Sequence, residues 1–290
     1  MTATPQAKIR FDDVSKTFAL REGLPGERFT ALSGVSLDIA AGDFVCLVGP
    51  SGCGKSTLLD LLGGLATPDA GQVLVDGKPI TGPGLDRGIV FQQYALYPWR
   101  TALGNVEFGL EAKGIGRRER ASRAREYLDL VGLGTFADRY PHELSGGMKQ
   151  RVAIARSLAF DPDILLMDEP FAALDAQTRE SLQDELVRIW QRTGKTIVFI
   201  THGIDEAVFL GRKVAVMTSR PGRILTVLDV DLPHHDLGAG AATSRADDVD
   251  VRSTPEFIAY RHQVWELLHA EVRRAQAAEL GRTKEVVPVG

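Results

Sequence analysis

The residues from Gly49 to Ser56 have the types and the spacing that hold the phosphates of a nucleotide. They are Gly49, Pro50, Ser51, Gly52, Cys53, Gly54, Lys55 and Ser56, which fit the pattern G-x-x-x-x-G-K-[ST]. Glycines here let successive backbone N–H groups turn toward phosphate oxygens at the positive end of a helix. Lys55 would reach the β- and γ-phosphates, and the Ser56 hydroxyl would ligate Mg²⁺. Thr57, the next residue, is also expected to bind the nucleotide. An apolar run precedes the loop and a helical run begins at Thr57, so we expect a phosphate-binding loop rather than a chance turn.

An acidic pair, Asp168 and Glu169, follows a second apolar run at residues 164–167. The end of a buried parallel strand lies at the crevice where such sheets bind ligands, beside the phosphate loop. Asp168 would hold Mg²⁺ through water, and Glu169 would orient and deprotonate the attacking water. Two acids after a strand more often cap a helix when they stand alone. Combined with the phosphate loop, they predict nucleotide hydrolysis.

A third motif, residues 144–151, reads LSGGMKQR. Its Ser145, Gly146 and Gly147 begin a predicted helix, where backbone N–H groups form another anion site. With these motifs in this order, the chain resembles the ATP-binding subunits of ABC transporters, whose signature reads LSGGQ; Met148 replaces the glutamine. The resemblance implies that two copies pair head to tail, each signature closing on the ATP held by the other. Taken alone, the Ser-Gly-Gly sequence could also be a structural helix cap.

The same resemblance assigns roles to further residues. Phe18 is expected to stack on adenine, although it could be an ordinary core residue. Gln92 is expected to respond to the γ-phosphate and Mg²⁺, with Gln93 as the alternative. Asp175 is expected in the loop that crosses the dimer seam, and His202 beside the γ-phosphate. The implied catalytic residues are Lys55, Gln92, Glu169 and His202, and the implied Mg²⁺ ligands are Ser56, Gln92 and Asp168.

Composition narrows the class of protein. The 290 residues carry 34 Lys and Arg against 38 Asp and Glu, for a net charge of −4. The chain therefore has no excess of Lys and Arg to neutralise the phosphates of a nucleic acid, so we expect no nucleic-acid partner. Cys46 and Cys53 do not form a secreted disulfide framework, and no apolar run approaches the roughly 20 residues that span a bilayer. We expect a cytoplasmic chain that serves a membrane from its inner face, through separate subunits.

Hydrophobic periodicity predicts the fold class. Strand-like alternation dominates the first third of the chain, and helical spacing runs from about residue 98 to 160. Strand-like runs return at 164–167 and 196–200, with a helical pattern between them. This order predicts parallel strands covered by helices. With the resemblance, the expected fold is α/β, a P-loop NTPase core of the ABC-ATPase type. It would combine a mixed, mainly parallel sheet, an N-terminal antiparallel β subdomain and an inserted helical subdomain.

Three segments are expected along the chain. They are an ATP-binding domain at 1–232 with the helical subdomain at about 98–160, a linker at 233–253, and a C-terminal helix and tail at 254–290. Thr254 is the expected N-cap of that helix, with Pro255 at its first position. An apolar face favours a packing helix. Its expected members are Phe257, Val264, Leu267, Leu268 and Val272.

The aromatic run at residues 94–99 follows Gln92. In the family it resembles, this region lines the groove that receives a short helix of the permease; the alternative is that the rings fill a core. Residues 98–100, 105–109 and 220–224 are most similar to importers of nitrate, sulfonate and taurine, which use separate permeases and an external binding protein. A non-transport ABC ATPase, another importer or an exporter remain the alternatives.

Cys53 lies inside the phosphate loop at a predicted helix N-terminus, where the pKa of a thiol tends to fall. The sequence therefore suggests that alkylation of Cys53 blocks ATP binding. The alternative is that the position merely accepts a small side chain.

Overall fold

The computed structural model describes residues 7–19, 28–235 and 250–285, with the backbone alone for residues 277–285. Most of the predicted linker and the end of the predicted tail lie outside these ranges. The strands are β1 (Ile9–Ala19), β2 (Arg28–Ile39), β3 (Phe44–Val48), β4 (Ala70–Val75), β5 (Lys78–Pro79), β6 (Arg87–Val90), β7 (Ile164–Asp168), β8 (Thr196–Ile200), β9 (Lys213–Met217) and β10 (Ile224–Asp229). The helices are α1 (Lys55–Gly63), α2 (Ala102–Ala112), α3 (Arg117–Leu130), α4 (Gly146–Ala159), α5 (Ala176–Thr193), α6 (Ile204–Leu210) and α7 (Pro255–Glu285).

The described strands form two sheets. An antiparallel sheet has the order β2-β1-β4-β5. The second sheet has the order β10-β9-β3-β8-β7-β6, in which β10 is antiparallel to β9 and the other neighbours are parallel. The predicted α/β class, with an antiparallel N-terminal part and helices flanking a mixed sheet, is confirmed.

Strand β3 shows how the two sheets are packed. All of its residues are buried, and alternate side chains point to opposite faces of the sheet. Val45 and Leu47 face a core that β3 shares with α1 and the antiparallel sheet. Phe44 and Cys46 face a second core, which includes α4, α5 and α6. This burial on both faces explains why the strand reads as a continuous apolar run.

The carboxyl ends of β3, β7 and β8 meet at one edge of the parallel sheet. The register pairs Leu47 with Ile200 and Asp168 with Ile200. The residues that follow these strands, beginning with Gly49, Glu169 and Thr201, are therefore brought together. This is the edge at which ligands bind in open α/β sheets.

The helical insertion is held to its entry loop by a buried amide. Asn105 on α2 accepts the N–H of Tyr97 (2.8 Å) and donates to the carbonyls of Tyr97, Arg100 and Thr101 (3.2, 3.1 and 3.0 Å). A buried amide satisfied on both sides rigidifies its surroundings. The aromatic loop before α2 is thereby fixed in one conformation. None of the described helices is both long and apolar enough to cross a membrane.

Helix α7 begins as predicted. The Thr254 hydroxyl accepts the N–H of Phe257 at 3.3 Å, and Pro255 is the first helical residue. Phe257 and Val264 are buried, as expected for a packing helix. Val272 does not follow the predicted face, since its side chain is 39% exposed.

We expect Phe257→Ala to reduce the free energy of unfolding by about 3–5 kcal/mol, because it leaves a cavity where a fully buried ring packed. Ile258→Ala is the matched control, since the neighbouring side chain is 44% exposed. That variant should change stability by less than about 0.5 kcal/mol. Chemical denaturation followed by circular dichroism measures both. Equal losses would contradict the packing of α7 on the rest of the chain.

Candidate active site

The phosphate loop joins β3 to the first turn of α1. Gly54 has a φ of 95°, and a Cβ added there would lie 2.6 Å from Leu32 Cδ2, so this position requires glycine. Lys55 Nζ donates hydrogen bonds to the carbonyls of Gly49 (2.8 Å) and Pro50 (3.2 Å). The ammonium group is therefore held over the loop. The first N–H groups of α1 have no acceptor within the helix and can donate to an anion.

Ser56 and Asp168 bring two oxygen ligands together. Their side chains are hydrogen-bonded; burial raises the pKa of Asp168, and the bond to Ser56 opposes that rise. A hydroxyl and a carboxylate oxygen are the donors that Mg²⁺ prefers, so the pair fits that ion. Gln92, the third predicted ligand, is exposed just after β6, and its side chain makes no hydrogen bond to any described residue.

Glu169 and His202 form a pair at the end of β7 and β8. A carboxylate oxygen of Glu169 lies 3.2 Å from His202 Nδ1, and the His202 side chain is 68% exposed. Glu169 has a φ of 44°, in the left-handed region that is strained for residues with a side chain. Its N–H donates to the carbonyl of Ile200 at 3.0 Å, which holds the residue in this conformation. The carboxylate is thus aimed at the groove by a strained but braced backbone.

A half-buried carboxylate, Glu206, supports the His202 loop and was not predicted from the sequence. Its oxygens accept hydrogen bonds from the Thr201 hydroxyl and from Gln183 Nε2 (2.9 Å). The Thr201 hydroxyl in turn accepts the N–H of Gly203 at 2.9 Å. Burial raises the pKa of Glu206, and these two hydrogen bonds oppose the rise. The only sequence signal was an acid in the first turn of α6, where acids are common.

An open groove of about 610 Å³ runs along this edge of the sheet. At one end Phe18 stacks on Phe29, with ring centroids 5.6 Å apart and planes at 29°. Phe29, its partner on β2, was not predicted, because the contact depends on strand pairing. The predicted residues that line the groove are Phe18, Ser51, Gly52, Gly54, Lys55, Ser56, Thr57, Glu169 and His202. Aromatic rings at one end and the phosphate loop at the other suit a nucleotide.

The signature residues do not line this groove. Ser145 caps α4, its hydroxyl accepting the N–H of Met148 at 3.3 Å. Asp175 caps α5 by accepting the N–H of Thr178 at 2.9 Å. The two caps are neighbours, since a Cβ added to Gly147 would lie 2.6 Å from Thr178 Cγ2, and Gly146 lies against Leu174. Ser145 is exposed, Gly146 and Gly147 are half-buried, and none of the three is among the residues that line this copy's groove.

A cluster of aromatic rings lies on the surface of the helical insertion. Trp99 is 71% exposed and Phe108 is 40% exposed, and both pack against Tyr97, at 5.5 and 4.7 Å between centroids. Arg156 braces the preceding turn by donating to the carbonyls of Tyr94 (3.1 Å) and Ala95 (2.6 Å). The rings are held in place yet open to solvent. Exposed apolar surface of this kind marks protein–protein contact sites.

The prediction of a lowered thiol pKa at Cys53 is wrong. Cys53 is buried, with 1% of its surface exposed, and burial raises the pKa of its thiol. Lys55 Nζ lies 3.8 Å from Sγ and opposes this rise without overcoming it. The thiol points into the core under the loop, so desolvation outweighs the helix N-terminus.

We therefore expect folded protein to react with iodoacetamide at Cys53 at least about tenfold more slowly than a free thiol at pH 8. Mass spectrometry of digested protein, with unfolded protein as the reference, measures the labelling. Cys53→Ala separates this site from Cys46, which is also buried. Labelling of the folded protein at the rate of a free thiol would contradict the burial.

Comparison with known proteins gives one family match and three similar relatives. The sequence profile of the family described as ABC transporter matches residues 32–172. An uncharacterized ABC transporter ATP-binding protein of Methanocaldococcus jannaschii is 49% identical over 270 residues, covering 93% of this chain and 94% of that protein. The nitrate import ATP-binding protein NrtD of Synechocystis sp. is 48% identical over 260 residues, covering 90% and 94%. The taurine import ATP-binding protein TauB of Rhizobium johnstonii is 47% identical over 262 residues, covering 90% and 97%.

A solved structure is also similar. The dimeric ATP-binding cassette MJ0796 bound to ADP and Pi has a TM-score of 0.67 and 38% identity, covering 77% of this chain and 99% of that chain. The profile match includes the phosphate loop, the signature and the acidic pair. Phe18, His202 and α7 lie outside it.

Proposed function

This chain belongs to the family of ABC transporter ATP-binding proteins and is an ATPase, and from that premise we propose that it drives a separate membrane permease as an importer subunit. ATP would occupy the groove with adenine on Phe18 and the phosphates on the loop from Gly49 to Ser56. Mg²⁺ would be held by Ser56 and Asp168, and by Gln92 once that residue turns inward. When bound, Mg²⁺ supplies positive charge against the phosphoryl oxygens.

We propose that Glu169 is the general base of hydrolysis. Its carboxylate would accept a proton from the attacking water as the water oxygen bonds to the γ-phosphorus and the bond to ADP breaks. His202, hydrogen-bonded to Glu169, would contact the γ-phosphate. Lys55 and the loop N–H groups would offset charge on the phosphoryl oxygens. The observation that supports these roles is the convergence of Lys55, Glu169 and His202 on one groove.

The active form would be a head-to-tail dimer. Ser145, Gly146 and Gly147 lie at the N-terminus of α4 and do not line their own groove, so in the proposed dimer they would reach the γ-phosphate held by a second copy. Asp175 caps the neighbouring helix at that surface. Dimeric structures of a related cassette support a dimer of this chain. ATP binding would then close two copies together, which converts hydrolysis into motion that the permease can use.

The aromatic surface of Tyr97, Trp99 and Phe108 would receive the permease. Its rings are exposed but immobilised, which lowers the entropic cost of binding a partner helix. Relatives named for nitrate and taurine import support small oxyanions as the cargo. An external binding protein would deliver the cargo to the permease. The chain would thus work on the cytoplasmic face of the membrane.

The test is co-purification of the tagged full-length chain from detergent-solubilised membranes of its own organism, with mass spectrometry of the partners. We expect a permease to co-purify with the wild-type chain and to be absent when the chain carries Trp99→Ala. Trp265→Ala is the matched control, because that indole is also exposed (45%) but lies on α7. Recovery of soluble partners alone would contradict the importer proposal and indicate a non-transport ABC ATPase.

A further inference from the structure

The loop between β9 and β10 contributes an arginine to the nucleotide groove. Arg220 lines the groove together with Phe18, Phe29 and Lys55. Its Nε donates to the carbonyl of Gly52 at 3.3 Å. The centre of its guanidinium group lies 4.8 Å from the Phe29 ring centroid, in cation–π geometry. The side chain therefore rests on both the aromatic end and the phosphate end of the groove.

Close packing of the backbone keeps the loop in this position. Gly222 donates to the carbonyl of Ala31 (2.8 Å) and accepts from the N–H of Ser33 (3.1 Å). A Cβ added to Gly222 would lie 1.9 Å from the carbonyl oxygen of Cys53. On the other side, the N–H of Ser219 donates to Glu271 of α7 at 3.4 Å. The loop is thus built into the wall of the phosphate-binding site, and Arg220 is carried on a fixed base.

The charge of Arg220 is available to a ligand. Within the described parts of the chain, no carboxylate lies at ion-pair distance from it, and its guanidinium donates to the neutral carbonyl of Gly52. ATP bound with adenine at Phe18 and its β- and γ-phosphates at Lys55 must cross this position with its ribose and α-phosphate. A planar guanidinium with free N–H groups is suited to phosphate oxygens.

We propose that Arg220 binds the α-phosphate of the nucleotide, an assignment that rests on the proposed placement of ATP in this groove. Stacking on Phe29 and the bond to Gly52 hold the guanidinium before the nucleotide arrives, so little rotamer entropy is lost on binding. Lysine would keep the charge but not the planar stacking. The role is binding rather than bond cleavage, because the α-phosphate is not the transferred group.

Arg223 provides a matched control in the same loop. It is also exposed, but its guanidinium donates to the Ser33 hydroxyl at 3.0 Å and does not line the groove. Arg223→Ala removes one positive charge three residues away and leaves the groove unchanged. It separates a specific contact from a general loss of charge.

The test is competition by ATP, ADP and adenosine against a fluorescent ADP analogue, for wild type, Arg220→Ala, Arg220→Lys and Arg223→Ala. We expect Arg220→Ala to reduce the affinity for ATP and for ADP by about tenfold, as for loss of one charge-assisted contact. The affinities of Arg220→Lys should lie between those of wild type and Arg220→Ala. In Arg220→Ala, adenosine affinity and the melting temperature without nucleotide should match wild type, because adenosine has no phosphate for the guanidinium to bind. Arg223→Ala should bind all three ligands like wild type.

Three results would overturn the assignment: unchanged ATP affinity in Arg220→Ala, an equal loss for adenosine, or an equal loss in Arg223→Ala. Failure of the wild type to bind ATP at all would instead remove the proposed function on which the inference rests.

Discussion

A Glu169→Gln variant should bind ATP with wild-type affinity and lose at least about 100-fold in turnover, the usual contribution of a positioned general base. Glutamine keeps the shape and hydrogen bonding of the side chain but cannot accept the proton of the attacking water. Glu169 is the only acid among the described residues that line the groove, so we expect no other carboxylate there to take its place. Steady-state phosphate release and nucleotide binding measure the two properties separately.

Glu126→Gln is the matched control. Glu126 is exposed on α3, and its substitution makes the same change of charge far from the groove. It should turn over ATP like wild type. With hydrolysis blocked, Glu169→Gln should also accumulate as an ATP-bound dimer, which light scattering detects. Near-normal turnover in Glu169→Gln would exclude it as the general base.

Ser145→Arg should abolish turnover by a different route. Ser145 is exposed and does not line the groove of its own copy, so ATP binding by the single chain should be unchanged. An arginine there would obstruct the N–H donors of α4 that a second copy needs for its γ-phosphate. We expect turnover to fall at least about 100-fold, the scale seen when oxyanion donors are lost.

Ser145→Arg both removes the capping hydroxyl of α4 and adds a bulky side chain, and Ser145→Ala separates these two effects. It removes the hydroxyl that caps α4 and costs about 1 kcal/mol of stability, but it adds no bulk. Its turnover should therefore exceed that of Ser145→Arg by a wide margin. Equal turnover in Ser145→Arg and wild type would show that the signature of one copy does not reach the site of another.

Much of the fold and site is predictable from the sequence because the signals are local. The phosphate loop, the acidic pair and the signature each lie within a few residues of the strand or helix end that positions them. Thr254 and Pro255 likewise mark the start of α7 in the pattern of side chains alone. The family, the α/β class and the ATPase activity follow from these motifs and are confirmed.

What the sequence does not reveal depends on contacts between distant segments. Arg220 is 168 positions from Gly52 in the chain, yet the two are hydrogen-bonded. Phe29 stacks on Phe18 only through the pairing of β1 with β2. The thiol of Cys53 is misjudged for the same reason, since its burial depends on the core beneath the loop rather than on the helix that follows.

The most direct test of the account is to mix Ser145→Arg with Glu169→Gln, each inactive alone. A mixed dimer contains one complete site, formed by the phosphate loop and Glu169 of one copy and the signature of the other. An equal mixture should regain roughly a quarter of wild-type turnover, since half of the dimers are mixed and each has one intact site. Turnover no greater than the sum of the two separate proteins would contradict a catalytic site shared between two copies.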